Sequence, residues 1–232
     1  PVVAPALGQL ILNTYSWQGI FYVQVIISLI VIIWFWKRQP ETLPSTKRVS
    51  FSVKVFNMGF GEVFRYKTTM GYTIISGLVV GSFFVYLNAS QQIFQTQFGL
   101  VEEFPLIFAG LSIAIGSAIF LNGTLVLKYG MEKIVSISLL LFFGISLLYV
   151  TFFNSNTNPS LIVVLIFFAF QFFAVGFLFG NLRALAMQPV GHIAGIASAI
   201  TGFISTVLAV ILSIIIGRFV TTSVLPVFIG FL

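Results

Sequence analysis

The chain has 232 residues, of which 59% are hydrophobic and 7% charged. Soluble domains carry about 25% charged residues, so this chain has too little polar surface for a folded monomer in water. That excludes an ordinary soluble enzyme, a nucleic-acid-binding domain and a disordered chain.

A helix needs roughly 20 mainly apolar residues to cross a hydrocarbon core of about 30 Å. Residues 1–12 are too few and read as the end of a span. Residues 17–36 are enough, and Trp17 and Trp36 stand at the two ends, where interfacial aromatics belong. Residues 37–67 are polar, and Pro40 and Pro44 stop the preceding helix. Within that stretch, 49–64 reads equally as a short amphipathic surface helix or as an irregular linker. Further spans are expected at 70–94, 105–127, 134–153, 160–180 and 193–217. A last one begins at 219–232, interrupted by Pro226. The runs are continuous, whereas barrel strands alternate over about 10 residues. The expectation is an all-α polytopic membrane protein with six complete and two partial transmembrane helices. Both ends fall inside apolar runs, as they would in a piece of a larger membrane protein.

Charge gives the orientation. Lys37, Arg38, Lys47, Arg48, Lys54, Arg65 and Lys67 fall in one loop, Lys128 and Lys133 in another, and Arg183 and His192 flank a third. The intervening loops, 13–16, 95–104 and 154–159, hold no Lys or Arg, and Arg218 is the one exception. Alternate loops are thus basic, which the positive-inside rule assigns to the cytoplasm. The net charge of +6 is a topology signal and no sign of nucleic-acid binding. Cysteine is absent and His192 is the single histidine, so no disulfide framework and no metal site is expected.

Several local patterns resemble the major facilitator superfamily, and within it the Bcr/CflA drug-resistance branch. Ala4-Pro5-Ala6-Leu7-Gly8-Gln9 is similar to the antiporter motif Gly-Pro-x-x-Gly-Gly near the outer end of helix 5, matching at Pro5 and Gly8. Ser16-Trp17-Gln18-Gly19-Ile20-Phe21 resembles the start of helix 6. Pro40-Glu41-Thr42-Leu43 resembles the Pro-Glu-Thr-Leu that follows it. Gly180 to Met187 and Ala194 to Ala199 resemble the turn between helices 10 and 11. Gly123-x-Leu125-x-Leu127-Lys128-x-Gly130 is similar to the gate motif Gly-x-Leu-x-Asp-Arg-x-Gly, with Leu127 in place of the aspartate and Lys128 in place of the arginine. That departure puts the gate role of Lys128 in doubt, and Lys128 and Lys133 read as well as inside-positive anchors.

In this register, 1–36 end the N-terminal helical half, 37–68 form the cytoplasmic loop between halves, and 69–232 form the C-terminal half. The resemblance implies a substrate cavity near the bilayer midplane, between repeats that rock. Phe84, Tyr86, Asn88 and Gln91, with neighbouring Phe83, Ser90 and Gln92, are cavity candidates, as is Gln171 in the middle of its span. Aromatic faces suit lipophilic cations. For the amides, interhelical hydrogen bonding is the alternative role. Gly77 and Gly81, Gly176 and Gly180, and Gly191 and Gly195 have the four-residue spacing of close helix crossings. Gly191, Gly195 and Gly202 are expected to form one packing groove on helix 11.

No Asp or Glu falls inside an expected span and no phosphate-cradling loop is visible. The resemblance therefore implies a proton gradient as the energy source, with no bound cofactor and with the proton-carrying acid upstream. The implied activity is proton-coupled efflux of small lipophilic or cationic drugs by alternating access across a bacterial inner membrane. Its partners would be the small-molecule substrate, protons and the lipid bilayer, and its expected state is a monomer. A metabolite transporter of the same fold, or a membrane scaffold without transport, is the alternative.

Overall fold

The computed structural model describes residues 3–41, 52–155 and 157–232. Lipid offers no partner to a backbone N–H or C=O, so each apolar run closes its own hydrogen bonds as a helix. In chain order the helices are α1 (Val3–Thr14), α2 (Gln18–Arg38), α3 (Val53–Arg65), α4 (Lys67–Gln91), α5 (Phe104–Tyr129), α6 (Met131–Phe152), α7 (Leu161–Met187), α8 (Ala194–Gly217) and α9 (Leu225–Phe231). A π-helical turn, Gln92–Gln97, extends α4, and a 3-10 turn, Gln188–Ile193, joins α7 to α8. Helices α2, α4, α5 and α6 are long and apolar enough to cross a membrane, and a further such stretch, Leu161–Gly217, contains both α7 and α8. The expected six full spans are therefore present, with α1 and α9 as short pieces. The chain is a multi-pass membrane protein.

Several boundaries differ from the sequence reading, and two of them bear on the site. Helix α4 opens at Lys67, and α7 continues to Met187 rather than stopping near residue 180. Asn181, which suggested an early turn, is satisfied on the helix. Asn181 Nδ2 donates to Asn122 Oδ1 at 2.7 Å and to the Phe177 carbonyl at 2.9 Å. Arg183 thus belongs to α7 and not to a loop. Between α5 and α6 the chain reverses on Gly130 alone, at φ +79°, a conformation that favours glycine.

The tightest seam joins α4 to α8. On α4 the buried residues Thr69, Thr73, Gly77, Gly81, Val85 and Ala89 recur every fourth position. On α8 the same holds for Ala197, Thr201, Ser205, Ala209 and Ser213. These are i±4 ridges, and small side chains let them meet closely. A Cβ on Gly77 would lie 3.1 Å from Ser205 Cα, and one on Gly81 3.0 Å from Ala209 Cα. Gly176 on α7 admits α5 in the same way, with Ala118 Cβ at 2.6 Å from the added carbon. Helix α7 also packs against α4 and α6, and α9 sits against α6. Helix α1 packs on α5, whereas α2 packs on α1 and buries no residue.

The expected groove on α8 is not found. Gly191, Gly195 and Gly202 each face open space, and a Cβ added at any of them would meet nothing within 4 Å among the described residues. Gly191 lies in the 3-10 turn, outside α8. Gly195 is two residues before Ala197, which places it about 200° around the helix from the buried ridge.

Helix α3 lies across the start of α8. Val63 is fully buried with Val190, Ala197 and Ile200, and Glu62 Oε1 meets His192 Nε2 at 2.7 Å. The amphipathic-helix alternative therefore holds for Val53–Arg65, and residues 42–51 lie outside the described part. The same end carries Lys128 and Lys133, both over the Tyr129 ring at 5.2 and 5.4 Å. At the opposite end the loops are tied by amides. Asn158 Nδ2 donates to Gln97 Oε1 at 2.8 Å, Asn158 Oδ1 accepts from Val224 N at 2.8 Å, and Gln97 Nε2 donates to the Thr221 carbonyl at 3.2 Å.

Two outcomes are expected. Cysteines introduced at Gln39 and Glu132 should react with an impermeant thiol reagent from one side of the membrane only, and one at Ser155 from the other side only. Labelling of all three from one side would break the helix polarity described above. Gly81→Leu should destabilise the intact protein in detergent by about 1–3 kcal/mol through overpacking. Gly144→Leu, at a position with nothing within 4 Å, should change stability by no more than about 0.5 kcal/mol.

Candidate functional site

The aromatic residues form a packed interior. Tyr86 is 1% exposed and its ring lies 4.5 Å from Phe172 and 5.1 Å from Phe168, centre to centre. Phe83 meets Phe172 and Phe179 edge-on, and Phe228 of α9 stacks on Tyr149 at 3.8 Å. Edge-to-face and offset pairs of this kind add to area burial. Phe84 is half-buried. Tyr86 thus serves the core, and its hydroxyl has no partner among the described residues.

The candidate amides are not gathered at one place. Asn88 Nδ2 donates to Ser213 Oγ at 2.7 Å and so ties α4 to α8. Gln91 is exposed at the end of α4. Gln171 is fully buried between α6 and α7, where its Nε2 donates to Ser146 Oγ at 2.9 Å and to the Phe142 carbonyl at 3.3 Å. Its Oε1 has no partner among the described residues. In hydrocarbon an amide needs such partners, and here Asn88 and Gln171 find them across helix pairs.

The motif residues are equally dispersed. Pro5 and Gly8 lie within α1, and Gly8 faces open space. Gly123 is exposed on α5, Gly130 makes the α5–α6 reversal, and Lys128 is exposed beside Tyr129. The lysine geometry is that of an interfacial anchor.

One site went unseen in the sequence. A cavity of about 220 Å³ opens between α4, α7 and α8 near the basic end, lined by Thr73, Ser76, Arg183, Ser198, Thr201 and Ser205. Gly202, expected in helix packing, lines this space instead. The signal was available as spacing. Thr69, Thr73 and Ser76 share one face of a helix, as do Ser198, Thr201 and Ser205. No group of three or more metal-ligating side chains occurs among the described residues.

Helices of this length and order, reversing at alternate basic ends, define a multi-pass helical membrane bundle. The chain belongs to the Major Facilitator Superfamily, whose family model matches residues 1–226. It is 29% identical over 230 residues to the uncharacterized MFS-type transporter YdgK of Bacillus subtilis (strain 168), covering 97% of this chain and 56% of that protein. It is 26% identical over 208 residues to a bicyclomycin resistance protein homolog of Haemophilus influenzae, covering 87% of this chain and 50% of that protein. The chain therefore spans about half the length of the curated relatives it matches. No solved structure matches it.

Gln171 gives a direct test of the amide assignments. In a double-mutant cycle, Gln171→Leu and Ser146→Ala should couple by about 0.6 kcal/mol, the average for interhelical hydrogen bonds in membranes. Strictly additive thermal destabilisation would mean that this amide does not bridge α6 and α7.

Proposed function

We propose that the protein is a secondary transporter of a bacterial inner membrane that expels small lipophilic molecules in exchange for protons. In this reading residues 1–36 close one helical half, 37–68 run along the cytoplasmic face, and 69–232 form the other half. What carries the reading is the family match over nearly the whole chain, and the drug-efflux part rests on similarity to the bicyclomycin resistance homolog. The ring-walled interior supports apolar cargo, since aromatic faces bind it by dispersion at little polar cost.

Coupling ions need a titratable group at membrane depth. The one carboxylate on helices α4 to α8 is Glu132, in the first turn of α6 at the basic end. A deeper proton site for this activity therefore lies outside these helices. The alternative of a metabolite transporter is favoured by the hydroxyl-lined cavity with its arginine, because such a lining recognises polar solutes.

Everted membrane vesicles carrying the intact protein should take up ethidium or a neutral lipophilic antibiotic when a pH gradient is imposed. Uptake should stop on adding a protonophore and continue without ATP. Uptake that survives the protonophore would overturn proton coupling. No uptake of any tested drug would remove the efflux reading in favour of the metabolite one.

A further inference from the structure

The cavity between α4, α7 and α8 is chemically one-sided. Thr73, Ser76 and Ser205 form a floor in which each residue is less than a tenth exposed. Arg183 stands exposed at the rim, with no hydrogen-bond or ion-pair partner among the described residues. It lies nine residues beyond Ala174, near the middle of α7, which is about 13 Å along the axis. With α7 centred in the bilayer, that is within the roughly 15 Å half-thickness of a hydrocarbon core. An arginine at this depth is costly unless it meets water or a counter-charge.

The hydroxyls set the rest of the chemistry. Thr73 donates to the Thr69 carbonyl at 2.6 Å, Thr201 to Ala197 at 2.8 Å, Ser198 to Gly195 at 3.0 Å, and Ser205 to Thr73 at 3.1 Å. Each has committed its proton to the backbone, so what it can offer a solute is lone pairs. Ser76 has no partner among the described residues. No carboxylate lines the space. A cation would meet a guanidinium with nothing to balance it. A carboxylate would find a planar two-pronged donor, and an N–H or O–H on the same solute would find several acceptors.

The geometry points to a binding site for a small carboxylate-bearing solute that also carries hydrogen-bond donors, of the hydroxy-acid or acylamino-acid kind, with Arg183 holding the carboxylate. This rests on the metabolite alternative of the transport reading and takes the cargo away from lipophilic drugs and cations. A simple ion pair between Arg183 and an acidic side chain elsewhere in the protein is the competing occupant. It would need the arginine alone, and would leave the cavity and its row of hydroxyl oxygens without a use.

The test uses the intact purified protein with lactate and N-acetylalanine as probes, and lactamide and N-acetylalaninamide as uncharged matches. Calorimetric titration should show binding of the two carboxylates and at least about tenfold weaker binding of the amides, the loss expected for a charge-assisted hydrogen bond. Arg183→Gln should abolish the preference for carboxylate, and Arg183→Lys should keep part of it. Ser76→Leu fills the floor without touching the charge and should abolish binding of both carboxylates, so the idea stays testable if Arg183→Gln folds poorly. Equal binding of acid and amide, or binding unchanged in Ser76→Leu, overturns the site. Vesicle uptake separates this from the transport reading. Binding without transport of either probe removes the metabolite alternative and leaves the site. Drug uptake that Arg183→Gln abolishes, with no carboxylate binding by the wild type, assigns Arg183 to the ion pair instead.

Discussion

Helices in a bilayer gain nothing by hiding apolar side chains from one another, because the lipid is as apolar as they are. They associate where backbones can approach, and in this chain that condition is met most fully along the α4–α8 seam. Gly77 and Gly81 bring α4 against Ser205, Ala209 and their neighbours at separations where an added Cβ would press on the facing backbone. At that distance the small polar side chains of the seam can reach across it. Ser205 donates to the Thr73 carbonyl, and Asn88 donates to Ser213. The placement of the hydroxyl cavity follows from the same register, since Thr73, Ser76, Thr201 and Ser205 arrive there by being on or beside the two ridges.

A second constraint is that polar groups at membrane depth must be paired. The bundle meets it in part, with amide bridges across three helix pairs: Asn88 for α4 and α8, Asn122 and Asn181 for α5 and α7, Gln171 for α6 and α7. These bridges fix the axial register of parallel and antiparallel neighbours, which apolar contacts alone would leave free to slide. At the end opposite the basic face, Gln97 and Asn158 do the same for three loops at once. Against that background Arg183 stands out. It is a charged group of a membrane helix, it lines a cavity, and the described residues give it no partner.

The two ends of the bundle differ in kind. One is tied by neutral amides across its loops. The other carries the described cations except Arg218, together with helix α3 held by Val63 and the Glu62–His192 contact, and the cavity.

The fold class, the number of spans and the alternation of basic loops were all legible in the residues, because hydrocarbon thickness sets the length of an apolar run and charge avoids the membrane. Both are local properties, and a single chain displays them. The roles of individual polar and small residues were not legible in the same way. Gln171 and Gln91 look alike in sequence, yet one is sealed between α6 and α7 and the other is exposed. Gly77 and Gly195 sit in equally small-residue-rich stretches, yet only the first meets another helix. Arg183 reads as a loop charge in the sequence, whereas α7 runs past it. Each of these depends on the rotation or length of one helix relative to its neighbour, and that is set by contacts between segments far apart in the chain. Periodicity marks which residues share a face of a helix, but only the packed bundle decides whether that face meets another helix, a cavity or lipid.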